Sequence, residues 1–239
     1  MNARIVRVAG VAALAAVLIS VSAVAGSVTG TITYTGEVPK LPPVDMSADP
    51  ACAAMHGDNP PVNEVLVLGD GQTMGNILVR VTKGLPDKEY PAPSEPAILT
   101  QEGCQYKPRV FVLHPKQTLK ILNPDGILHN VHGMPEENTP FNKAMPATLK
   151  EIEVTLPKAE DPFEIKCDIH RWMHSFCAVL DHPFYDVTEA DGVYTIEGLE
   201  PGEYEITAWH ERLPAQTATV TIADETPVEQ DFAFERPSR

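Results

Sequence analysis

The chain has 239 residues, with 18 Lys+Arg against 33 Asp+Glu for a formal charge of −15, and 23 prolines. That length suits one or two domains. Proline at about twice ordinary usage excludes a helical bundle or coiled coil, and a hydrophobic content of 43% excludes wholesale disorder. The acidity excludes nucleic acid as a partner, because phosphate binding needs Lys/Arg surfaces. Four cysteines are too few for a disulfide scaffold.

Arg4 and Arg7 precede an apolar run from Val8 to Ala25 that ends in the small residues Ala23 and Ala25. This order reads as a secretory signal peptide over 1–25, cut before Gly26. An uncleaved membrane anchor is the alternative. Cleavage removes two arginines, taking the charge to −17, and leaves no segment able to span a membrane. It places the chain in an oxidising compartment, the periplasm in a Gram-negative source.

Beyond the leader, short alternating runs are punctuated by Pro, Gly, Asn and Asp. Residues 27–35 read as a strand with Val28, Gly30, Ile32 and Tyr34 on one face. Residues 40–61 read as loop. Residues 64–68 and 76–81 read as strands joined by a turn at Gly69 and Gly71. After a proline-rich excursion at 85–96, strands are expected at 109–113, 118–122, 149–156 and 162–167. The last group is 194–196, 202–209, 218–222 and 230–234. No long 3.6-residue period occurs. The fold class is all-β, in two compact sandwiches or barrels.

The chemistry concentrates in FEIKCDIHRWMHSFC, residues 163–177. Alternation turns Phe163, Ile165 and Cys167 to one face at the end of a strand. His170 and Met173 follow within one tight loop, and upstream lies HNVH, with His129 and His132. A thiolate, two imidazoles and a thioether are the donor set of a mononuclear type 1 copper site, in which soft sulfur favours Cu(I) and imidazole serves both oxidation states. Zinc, or no metal at all, is the alternative. Structural zinc prefers closely spaced Cys/His pairs, and Met is a poor ligand for it.

HNVHG with CDIHRWM resembles the cupredoxins, most closely the amicyanin and plastocyanin group, over residues 63–180. The resemblance implies a Greek-key β-sandwich that carries single electrons. It implies His129, Cys167, His170 and Met173 as copper ligands, and Asn130 as the residue that steadies the cysteine loop. Trp172 stands beside an exposed edge of the His170 ring, at which partners would dock. Arg171 replaces a proline frequent in relatives, which bears on the redox potential more than on ligation. No second cysteine precedes His170, so a binuclear purple-copper centre is not expected. His132 and His174 are secondary candidates, and His56, His114, His182 and His210 default to structural roles. A further metal site joining His182 and His210 is a minor possibility.

With Cys167 on the metal, three cysteines remain. Cys52 and Cys104 flank early strands of the copper unit, and proteins resembling methylamine-utilisation accessory proteins carry similar segments, which implies a Cys52–Cys104 disulfide. Cys177 is left as a small, half-buried hydrophobic residue or an intermolecular link.

TEADGVYTIEGLEPGEYEITAWH, residues 188–210, resembles the carboxypeptidase regulatory-like, prealbumin-type β-sandwich, through Asp191, Gly192, Leu199, Pro201, Gly202 and Tyr204. Such modules open with a strand patterned like residues 28–36. The expected organisation is therefore a strand at 26–38 completing the C-terminal sandwich, a linker at 39–62, the copper unit at 63–182 inserted between, and the smaller sandwich at 183–236.

The function expected is a periplasmic one-electron carrier with one copper. It is not an enzyme, since four protein ligands leave no open coordination position. Its acidity suits a basic partner such as a c-type cytochrome or a dehydrogenase. No His-x-His pair supports a multicopper oxidase, and no Cys-x-x-Cys-His supports covalent haem. The alternatives are a copper-delivery protein using Met134, Met145, Met173 and His132, and an envelope scaffold using the C-terminal module.

Overall fold

The computed structural model describes residues 25–236. The segment expected as a signal peptide lies outside them apart from Ala25. Among the described residues, no helix is long and apolar enough to cross a membrane.

Almost all regular structure is β. One sandwich has a five-stranded sheet in the order Phe141–Met145, His129–Gly133, Glu160–Lys166, His174–Val179 and Val110–Leu113. Facing it is a sheet in the order Glu151–Thr155, Thr118–Leu122, Ala97–Gln101 and Tyr106–Lys107. Alternation explains the layering. Leu119, Ile121, Val131, Phe163 and Ile165 point into one shared core. Pro162, which cannot donate to a ladder, sits where the register of Glu160–Lys166 shifts by a bulge against its neighbour.

The second sandwich is built from chain segments far apart. Gly26–Tyr34 pairs antiparallel with Val193–Leu199, and parallel with Val228–Glu229 and Phe232–Phe234. Its burial alternates along its whole length, with Val28, Ile32 and Tyr34 in the core. The facing sheet runs Tyr185–Val187, Leu78–Lys83, Gly202–Trp209, Gln216–Ile222.

Two expectations need correction here. Leu78–Lys83 falls in the stretch 63–182 read as the copper unit, yet it pairs with Tyr185–Val187 and Gly202–Trp209. Leu78, Val79, Arg80 and Val81 are all buried, so this strand shows none of the inside-outside alternation that marks a partner. Val79 and Val81 enter the second core, while Leu78 joins Val110, Phe176, Ala178 and Leu180 in a third cluster between the sandwiches. Second, the expected linker at 39–62 holds a helix, Pro50–His56, and packs on the first sandwich. Asp49 caps it, accepting from Ala51 N and Cys52 N, and Pro50 opens it where a missing N–H costs nothing. Met46 and Cys52 enter the first core.

Glu160 organises the loop beside that core. Its carboxylate accepts from the backbone N–H groups of Glu136, Glu137 and Asn138, and from Asn138 Nδ2 at 2.7 Å. Burial alone would raise this carboxyl, but the Asn138 amide and the three N–H groups hold it below the ordinary value. A depressed folded value means stability present above the unfolded value, about 4.3, and lost as pH falls through the lower folded one. Glu160→Gln is expected to cost about 1–3 kcal/mol at pH 7. It should also flatten the loss of stability between pH 5 and 3, as read from urea midpoints across that range. An unchanged acid limb would remove Glu160 from this role.

Candidate metal centre

The strands His129–Gly133 and Glu160–Lys166 lie side by side, with Lys166 opposite His132. This pairing carries His129, at the start of one strand, toward Cys167, just past the end of the other. The turn into His174–Val179 then closes on itself. Cys167 N donates to Met173 O at 3.2 Å, Met173 N to His170 O at 2.9 Å, and His170 N to Cys167 Sγ at 3.4 Å.

The outcome is a convergence of donor atoms. His129 Nδ1 lies 2.9 Å from His170 Nδ1, which lies 3.7 Å from Cys167 Sγ. One ligand atom from each of these three residues falls within 4.8 Å of the others. The rings stand 67° apart, with centroids 4.8 Å apart. Exposure is 0% for His129, 2% for Cys167, and 1% for both His170 and Met173.

Asn130 holds the loop. Its Oδ1 accepts from Asp168 N at 2.7 Å and from Cys167 Sγ at 3.3 Å, and Tyr106 OH donates to its carbonyl. Burial would raise the Cys167 thiol, but hydrogen bonds from His129 and from backbone N–H groups bring it below the ordinary value. Burial would lower His129, yet Asp125 and Cys167 raise it to about 9. The hydrogen bonds around the cavity thus work against burial at both groups.

The donor set fits a metal ion on this geometry. Only one hydrogen can lie between two Nδ1 atoms 2.9 Å apart, so at least one ring turns a lone pair into the site, beside the Cys167 sulfur. Two nitrogens, a thiolate and a buried thioether-bearing residue in the same loop match soft, copper-type ligation better than structural zinc.

Two residues that orient the imidazoles escaped the sequence analysis. His129 Nε2 donates to Asp125 Oδ2 at 3.0 Å, and His170 Nε2 donates to Asp49 Oδ2 at 3.0 Å. Asp125 stands four residues before His129, a signal available in the sequence. Asp49 stands 121 residues before His170, and nothing local announces it.

The second contact corrects an expectation. The His170 edge is covered, not exposed. Asp49 meets its Nε2, and Trp172 packs at 5.2 Å between ring centroids while donating through Nε1 to Cys104 O at 2.9 Å. Cys52 and Cys104 are joined in a disulfide that ties the helix over the centre.

The other candidates sit elsewhere. His132 pairs with Asp168, and His174 with Glu164. His56 donates to Gly103 O, His210 to Val65 O, and His182 Nδ1 accepts from Phe184 N. Met145 accepts from Gln101, and Met134 lines a cavity with Arg80 and Glu137. Cys177 is fully buried, which raises its thiol and leaves it no route to another chain.

No protein-family model matches the chain, and no curated protein matches it significantly. Several solved structures match in part. A copper-containing nitrite reductase from Thermus scotoductus SA-01 aligns at 15% identity and TM-score 0.34, over 42% of this chain; the match spans only 26% of that protein's length. A purple cupredoxin from Nitrosopumilus maritimus aligns at 17% identity and TM-score 0.30, over 35% of this chain and 99% of its own. A Cu(I) variant of amicyanin aligns at 15% identity and TM-score 0.32, over 41% of this chain and 100% of its own.

Proposed function

We propose that the protein is a mononuclear copper protein that carries single electrons. The reading includes a Greek-key sandwich of cupredoxin type for the first unit and a prealbumin-like sandwich for the second. The observation that carries it is the convergence of His129 Nδ1, His170 Nδ1 and Cys167 Sγ in a buried site. His129, Cys167 and His170 would hold the ion, with Met173 as the weak fourth donor. Copper bound there supplies a one-electron couple.

The chain's own residues do the rest. Asn130 fixes the cysteine loop, so the thiolate changes place little between states. Asp125 and Asp49 keep both imidazoles in one tautomer. Burial excludes water, and with four protein donors no position is left for a substrate, so the protein acts as a carrier and not an enzyme. The acidity after cleavage of a signal peptide suits a periplasmic redox partner with a basic surface, of the cytochrome or dehydrogenase kind, with association that weakens in salt. Ile169, exposed inside the ligand loop, offers apolar surface for such a contact in place of the covered His170 edge.

The test is an absorption spectrum of the protein with Cu(II) added. An intense band at roughly 600 nm that bleaches reversibly with reductant is expected. Cys167→Ser should abolish it, and Met173→Leu should keep the colour and shift the potential. A spectrum unchanged by Cys167→Ser would overturn the assignment.

A further inference from the structure

Both imidazoles are held from behind by the same arrangement, used twice. Behind His129, Asp125 Oδ2 accepts the ring Nε2–H and also Cys104 N at 2.8 Å, while Oδ1 accepts Gly103 N at 2.7 Å. Behind His170, Asp49 Oδ2 accepts the ring Nε2–H, while Oδ1 accepts Ala51 N at 2.8 Å and Cys52 N at 3.3 Å. In each case one half of the disulfide supplies a backbone N–H to the carboxylate that orients one imidazole. Cys52 Sγ stands within 4.8 Å of ligand atoms of Asp49 and His170, and Cys104 Sγ within 4.8 Å of those of Asp125 and His129. Trp172, packed on His170, donates to the Cys104 carbonyl. The bond thus joins the two supports.

An imidazole whose Nε2–H is spent on a carboxylate presents a bare Nδ1 to a cation, and loss of such a partner typically weakens metal binding about 10–100-fold. Gly103 and Cys104 both have positive φ, so their N–H groups turn together toward Asp125. Apart from its bond to His170, the Asp49 carboxylate is held by the first turn of a seven-residue helix. That helix is attached covalently to the sandwich through Cys52.

We propose that Asp49 and Asp125 are positioning residues of the metal centre, and that the Cys52–Cys104 disulfide couples them, so that both Nδ1 atoms are aimed at the ion together. This rests on reading His129, Cys167 and His170 as the metal ligands. A disulfide that merely stabilised the fold would act independently of the two carboxylates.

The experiment has two arms. In the first, Cu(I) affinity is measured by competition with a chromogenic chelator for the wild type, Asp49→Asn, the double variant Cys52→Ala/Cys104→Ala, and their combination. Far-UV circular dichroism checks each fold. Asp49→Asn and loss of the disulfide are each expected to weaken binding about tenfold or more. Their combination should weaken it by less than the product, because the part of the disulfide's effect that runs through Asp49 is already lost in Asp49→Asn. Independent effects that multiply would overturn the proposal.

The second arm needs no metal and no cysteine substitution. In the metal-free chain, the ring Nε2–H groups of His129 and His170 should give protected 15N–1H signals. A trialkylphosphine is then added. It takes up oxygen from water to become the phosphine oxide, and the disulfide gains two hydrogens to become two thiols. Both ring signals should shift or exchange away together, whereas Asp49→Asn should disturb only that of His170. Ring signals indifferent to reduction would overturn the coupling. If they respond as expected while the wild type takes up no Cu(I), the coupling stands and the ligand assignment falls.

Discussion

Replacing Arg109 by alanine is expected to destabilise the protein by about 3–5 kcal/mol. Arg109 grips Glu211 with two bonds, Nε to Oε2 at 2.9 Å and a terminal nitrogen to Oε1 at 2.8 Å. The side chains are only 10% and 4% exposed. Arg109 immediately precedes a strand of the first sandwich, and Glu211 follows the strand Gly202–Trp209 of the second, so this pair pins one to the other. The guanidinium also lies 5.7 Å from the Phe176 ring centroid, and Phe176 in turn packs on Trp209. Cutting the side chain to a methyl leaves the Glu211 carboxylate in a largely dry interface, with Arg212 Nε at 3.9 Å as its remaining ion partner. Most of the cost is that stranded charge and not the lost attraction, so Arg109→Met with Glu211→Leu should be close to neutral or stabilising. Arg109→Lys keeps the charge but loses the fork, and should fall between. Denaturant unfolding of the four proteins checks the order. A loss below about 1 kcal/mol in Arg109→Ala would mean that this pair contributes little to holding the sandwiches together.

Gly30→Ala is expected to cost about 3 kcal/mol or more, from one added methyl group. A Cβ there would lie 1.9 Å from Gln230 O and 2.9 Å from a ring carbon of Tyr194. Neither neighbour is free to move away. Gln230 N donates to Thr29 O at 2.9 Å, and Tyr194 OH donates to Gln230 O. The strand carrying Gly30 is paired on both sides, so relief needs movement of a central strand. At this chain length the change corresponds to a fall in Tm of about 6–12 °C, measured by calorimetry. Gly202→Ala is the control: its Cβ would meet nothing closer than 3.5 Å, and little change is expected. Equal shifts for the two would remove the close approach as the cause.

How much of this was legible in the sequence depends on how local each signal is. Cys167, His170 and Met173 share one turn, and strand alternation alone turns Cys167 inward, so their proximity follows from short-range rules. His129 is brought to them by strand pairing, and its position was read from the residues around it. The covering of His170 was not legible. Asp49 reads as a polar residue in a proline-rich loop, and its role as helix cap and imidazole partner depends on a chain path fixed far away. The strand Leu78–Lys83 was assigned to the wrong neighbours for a related reason. A strand buried on both faces shows the same apolar run whichever sheet receives it. Gly30, by contrast, was placed on the buried face with Val28, Ile32 and Tyr34, but alternation says nothing of the carbonyl pressed against it.

The pairing of Gly26–Tyr34 with strands near the other end of the chain has a consequence for how the molecule is made. Thr29 bonds across to Tyr194, 165 residues away, and Thr31 to Asp231, 200 residues away. A strand among the first of the described residues must therefore wait until nearly everything else has been synthesised. Closing so long a loop is slow, although length adds to its free-energy cost only logarithmically. The strands between Ala97 and Val179 find their partners among themselves and have no such delay. The half that carries the candidate metal centre is thus free to assemble first, as a finished body around which the two ends of the chain later meet. Until they meet, the opening strand carries two unpaired edges, which makes the half-made chain, more than the finished protein, the form most exposed to aggregation.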